Sequence, residues 1–146
     1  MIAQTLLAAL RTHFPNRELQ LGTPPEPVIT LPAQHPSVGN ISLWDDGDEV
    51  TLEIGDITHG HFARYDASNP DERAQALSEQ VIAFLDLLFA DQVVLWKACS
   101  GSGGWQVLDA AHPFTYQVPA DTQFFLWSGP KTLDEIVART SAHGPA

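Results

Sequence analysis

The chain has 146 residues, 44% of them apolar and 17% charged, enough to bury a core without covalent staples. Four Trp and seven Phe exclude disorder over most of its length. Eighteen Asp and Glu against seven Lys and Arg give a formal net charge of -11, which repels phosphate backbones and anionic lipid headgroups and so excludes nucleic acid and membrane surfaces as partners.

The N-terminus, MIAQTLLAALRTHFP, has no basic start and no continuous apolar run, so it lacks the pattern of a signal peptide. Ile2, Leu6, Leu7, Leu10 and Phe14 instead fall at helical spacing, and Pro15 stops the pattern. Residues 2–14 are therefore expected to form a short amphipathic helix. Residues 15–37 follow as a proline-rich connector with Pro24, Pro25, Pro27, Pro32 and Pro36. Such a segment is stiff and extended, with room for a short edge strand at Val28–Leu31.

Residues 38–65 carry the clearest β-pattern. Ile41 and Leu43 alternate with polar neighbours, Asp46-Gly47 supplies a two-residue turn, and Val50, Leu52 and Ile54 alternate on the return. Gly55-Asp56 breaks that strand, and Ile57–Tyr65 makes a third, giving a meander. The longest helix is expected over 70–90. Asn69 caps it, Pro70 fits its first turn, and Asp71 and Glu72 suit the positive end of its dipole. Ala74, Leu77, Val81, Phe84, Leu85 and Leu88 form one apolar stripe, as a helix packed on a sheet requires.

Residues 92–128 return to strand patterns. Val93–Trp96 reads as a buried strand, Cys99–Gly104 as a flexible hairpin loop and Trp105–Leu108 as its return. Phe114–Val118 and Phe124–Trp127 are further candidates. A last helix is expected over 132–140, opened by a Thr132/Glu135 capping box, with Leu133, Ile136 and Val137 as its apolar face. Residues 141–146 read as a frayed tail. Strands cluster rather than alternate with helices. The expected class is therefore α+β in one domain: a mainly antiparallel sheet of five to seven strands, a central packed helix, and short N- and C-terminal helices.

Three stretches bear on function. The first is an acidic interval. No Lys or Arg stands between Arg17 and Arg64, while Asp45, Asp46, Asp48, Glu49 and Glu53 gather at the predicted hairpin. A plain solvated surface accounts for such a run, and so does a docking face for a basic protein, favoured by long-range steering. A calcium loop does not fit: Gly47 comes too early for an EF-hand and strands flank it.

The second stretch is DITHGHFARY. His59 and His61 stand two apart on a predicted strand and so point the same way, as two ligands of zinc or another divalent metal would. The bland alternative is two strand histidines facing solvent. The His-x-His spacing is similar to that of the cupin superfamily, but the place of the cupin glutamate is held by Tyr65 and Asp66, and a cupin has no such central helix. A third ligand would have to come from His35, His112 or an acidic side chain. The third stretch is the Cys99–Gly104 loop with Trp96 and Trp105 at its ends. Its amides could cradle an anion, Cys99 or Ser100 could be a nucleophile, and aromatics flanking a loop suit a contact surface. A phosphate loop, however, leads into a helix, and this one leads into a strand.

Taken together, the expectation is a small, non-catalytic, acidic protein that binds a basic protein through Asp45, Asp46, Asp48, Glu49, Glu53, Trp96 and Trp105. In size and charge it resembles bacterial immunity proteins that mask basic toxins. The alternatives are a metal-dependent enzyme or small-ligand binder centred on His59 and His61, and a structural homodimer. Cys99 is the only cysteine, which excludes an intramolecular disulfide and suits a cytoplasmic location.

Overall fold

The protein is described by a computed structural model that covers residues 2–109, 111, 114 and 117–142. Three helices and nine strands lie along these residues: α1 (Ile2–His13), β1 (Gln20–Leu21), β2 (Ile29–Leu31), β3 (Ile41–Asp45), β4 (Glu49–Ile54), β5 (Thr58–Ala63), α2 (Pro70–Phe89), β6 (Val93–Lys97), β7 (Gly103–Val107), β8 (Gln123–Leu126), β9 (Gly129–Lys131) and α3 (Leu133–Ala142). The class is α+β, with every strand pair antiparallel. The strands form two sheets rather than one, in the orders β1-β2-β3-β4-β5 and β7-β6-β8-β9. Their number exceeds the five to seven expected because short pairings at β1 and β9 leave almost no alternation to read. No described helix is long and apolar enough to cross a membrane.

The meander forms as its alternation predicts. Leu43 pairs with Leu52 across β3–β4, and Thr51 with His61 across β4–β5. The hairpin tip is one residue further on than Asp46-Gly47. The Asp46 amide donates to the Glu49 carbonyl at 2.9 Å, which leaves Gly47 and Asp48 at the tip. Gly47 has φ +92°, a conformation that disfavours any side chain. The proline-rich connector is more ordered than expected. Its strand β2 is not at an edge but between β1 and β3, since Pro27 and Pro32 fall just outside the three residues that pair.

Helix α2 carries the core. The Asn69 side chain accepts the Glu72 amide at 2.9 Å and caps it. Ala74, Leu77, Val81, Phe84, Leu85 and Leu88 are all buried. Ser78 joins them, with its hydroxyl donating to the Ala74 carbonyl at 2.8 Å. One buried cluster unites this stripe with Leu6 and Leu10 of α1, Val50, Leu52 and Ile54 of β4, and Val93, Leu95 and Phe125 of the second sheet. A second cluster takes the opposite side of that sheet, with Val94, Phe124 and Leu126 against Ile136 of α3. Strand β6 is thus buried on both faces, which is why its sequence is a continuous apolar run.

Helix α3 starts at its capping box: the Glu135 amide donates to Thr132 Oγ1 at 3.1 Å, and the Thr132 amide to Glu135 Oε1 at 3.2 Å. Of its three predicted apolar contacts only Ile136 is buried, while Leu133 and Val137 are each 44% exposed. The expected strand at Phe114–Val118 has no regular structure at Phe114, Gln117 or Val118. Thr115, Tyr116 and His112 lie outside the described residues, as does the tail from His143.

Candidate functional site

The two faces of the first sheet are unlike. Along β4, Val50, Leu52 and Ile54 point inward and are at most 1% exposed. Glu49, Thr51 and Glu53 alternate with them on the outer face, and His59 and His61 stand exposed beside them on β5. Cross-strand pairing sets Thr51 opposite His61 and Glu53 opposite His59. Residues 18–63 contribute no Lys or Arg to this face.

At the hairpin end the outer face closes into a polar cluster. His61 Nδ1 lies 3.3 Å from Glu49 Oε1 and 3.1 Å from Thr51 Oγ1. The Thr51 hydroxyl also donates to Asp46. Tyr65 donates to Glu49 Oε2 at 3.3 Å, and the Glu49 charge beside it, reinforced by Asp48, holds its hydroxyl above the usual phenol range. One ligand atom each from Asp46, Glu49 and His61 falls within 4.8 Å of the others. His59 is not in this group. Its ring stands edge-on to His61 at 5.2 Å between centroids, but it lines the cleft at the other end of the strand. The two histidines share a face, as period two requires, yet serve different neighbours.

Asp45 is set apart from the other acids of the hairpin. Its Oδ2 accepts the Ala3 amide in the first turn of α1 at 3.0 Å, and its Oδ1 accepts the Gly47 amide at 2.9 Å. Asp45 is thus not simply part of a solvated acidic surface: it is half-buried and fastens α1 to the hairpin. The sequence could not show this, because the partner is 42 positions away.

The second candidate region meets the first at its far end. A cleft of about 620 Å³ is lined by Glu53, Asp56 and His59 from the meander and by Trp96, Ser102 and Trp105 from the β6–β7 hairpin. Lys97 Nζ bridges the two sheets through Asp56 Oδ2 at 2.7 Å, and this contact holds the Asp56 carboxyl below its usual range. Gly103 and Gly104 belong to β7 rather than to a loop. A side chain on Gly103 would meet the Ile57 carbonyl, and one on Gly104 would meet the Trp96 ring. Trp105, 37% exposed, packs its ring against Phe84 at 4.9 Å and lies over Gly60. The remaining loop, Ala98–Ser102, is closed by the Ala98 amide donating to the Ser102 carbonyl at 2.8 Å.

Cys99 is exposed at the loop. Its hydrogen bond to Asp121, then that residue's charge, push the thiol above its ordinary range, so the thiolate is disfavoured. A further cleft, of about 710 Å³, lies beside α3 between Val118, Pro119, Phe124, Phe125, Pro130 and Leu133. It was not foreseen, because Leu133 reads as core in a helical pattern and the long loop before β8 has no period. Comparison with protein-family models, with curated proteins and with solved structures found no match in any of the three.

Proposed function

We propose that the protein is a non-catalytic docking module for a basic protein, with the outer face of β3–β5 and its hairpin tip as the contact surface. The observation that carries this reading is the gathering of Asp46 and Asp48 at the hairpin turn with Glu49 and Glu53 on the solvent side of a sheet whose other side is core. Glu49 and Glu53, held on strand β4, keep their spacing when a partner arrives, and the turn that carries Asp46 and Asp48 is closed by the Asp46 amide on the Glu49 carbonyl, so little ordering opposes binding. Trp105, half-exposed beyond Glu53 and His59, offers the aromatic anchor that such interfaces use. The raised thiol of Cys99 disfavours that side chain as a nucleophile. An inhibitor-like role toward a basic partner in the cytoplasm, where the lone exposed Cys99 would stay reduced, is the form of this function we favour.

The test is affinity capture at low ionic strength with wild type and with the double variant Asp46→Lys/Asp48→Lys. Asp45 is left in place because it holds α1. The wild type should retain a basic protein that the variant does not, with both proteins equally folded. Equal retention by the two would remove the acidic face from the interface.

A further inference from the structure

We propose that Asp46, Glu49 and His61 form a three-ligand site for a divalent transition-metal cation of the zinc class, open to solvent on its remaining positions. The site goes beyond the docking reading and does not depend on it.

The donor set argues for the class. Two carboxylates and one imidazole give mixed oxygen and nitrogen ligation, which suits zinc and its neighbours in the first transition row. Calcium and magnesium prefer oxygen throughout, and calcium takes six to eight such ligands. With His61 neutral, the group carries two negative charges, which a divalent cation cancels. The imidazole separates this group from the rest of the acidic surface, because it sets a nitrogen donor beside the carboxylates.

The geometry argues for the place. Two ligands at about 2.0–2.1 Å from one tetrahedral ion lie roughly 3.4 Å apart. His61 Nδ1 and Glu49 Oε1 are 3.3 Å apart. A ligand atom of Asp46 is within 4.8 Å of one from each of the other two residues, a distance that an exposed side chain on a turn closes by rotation. The backbone fixes the rest. His61 is directly across from Thr51, Glu49 is two positions from Thr51 on the same face, and the Asp46 amide is tied to the Glu49 carbonyl. Tyr65, bonded to the other Glu49 oxygen, orients that carboxylate from outside the site, as groups behind metal ligands commonly do. The assignment replaces the His59/His61 pair: His61 finds its partners on the acidic hairpin, not on its own strand.

The experiment is titration calorimetry of tag-free, chelator-treated protein with zinc chloride alone, alongside magnesium chloride. Wild type should take up one zinc ion saturably and no magnesium. Asp46→Asn, Glu49→Gln and His61→Ala should each weaken zinc at least ~10-fold, the loss expected when a metal site is damaged. His59→Ala should bind within about twofold of wild type. The two amide variants are nearly isosteric, so they keep the test decisive if His61→Ala misfolds. Absence of saturable zinc uptake, uptake that survives Glu49→Gln, or uptake lost with His59→Ala would overturn the site. Partner capture repeated in chelator separates this outcome from that of the docking surface.

Discussion

The two sheets are built from similar strands but differ in what they leave open. In the second sheet, β6 sends Val93 and Leu95 into one core and Val94 into another, and β8 divides Phe124, Phe125 and Leu126 the same way. In the first sheet, β4 buries only Val50, Leu52 and Ile54 and turns Glu49, Thr51 and Glu53 outward. A strand buried twice is committed to stability. A strand buried once has a free register of positions on which charge and ligand atoms can be placed at fixed spacing. Glu49, Glu53, both strand histidines and one wall of the cleft between the two sheets use that free register.

The sharpest way to break this contrast is Val94→Asp. Val94 is fully buried in the smaller core, so an unpaired charge there should cost several kcal/mol and unfold the protein. A variant with an unchanged denaturation midpoint would mean that the second sheet has an open face too. A smaller effect sharpens the contrast inside the hairpin. Asp45→Ala removes the carboxylate that accepts the Ala3 amide, and loss of such a cap costs about 1 kcal/mol. Urea denaturation should record that loss for Asp45→Ala, whereas Asp46→Lys/Asp48→Lys should stay within about 0.5 kcal/mol of wild type.

The smallest effect concerns the bridge between the sheets. Lys97 lowers the Asp56 carboxyl, so the pair contributes stability above the ordinary aspartate range and loses it as pH falls through the depressed folded value. Lys97→Met should therefore cost less than ~1 kcal/mol at neutral pH, and the difference from wild type should vanish on strong acidification. A difference that grew with acidification would reverse the sign assigned to the pair.

What the sequence made legible was local. The Asn69-Pro70 cap, the Thr132/Glu135 box and the alternation of β3 and β4 each lie within a few residues, and each formed where its chemistry points. The single long stripe of α2 was equally readable, since a 20-residue helix shows its period several times. The illegible parts depend on distant partners. Nothing near Asp45 signals an amide of α1, and nothing near Gly103 signals the carbonyl of Ile57. Both candidate regions were identified, but not that one cleft joins them. His59 and His61 were correctly placed on one face. Which of them meets the acidic hairpin was decided by the β4–β5 register, and strand spacing alone does not contain that register.

The central claim is that the open face of the first sheet works through its charge. It is tested most directly by the association rate of the captured partner, followed by stopped-flow Trp fluorescence from about 0.01 M to about 0.15 M ionic strength, over which the screening length falls from about 30 Å to about 8 Å. The wild-type rate should drop at least ~10-fold across that range. Asp46→Lys/Asp48→Lys should start slower and change little. Rates that are the same for both proteins and indifferent to salt would contradict the account and leave the acidic face as solvated surface.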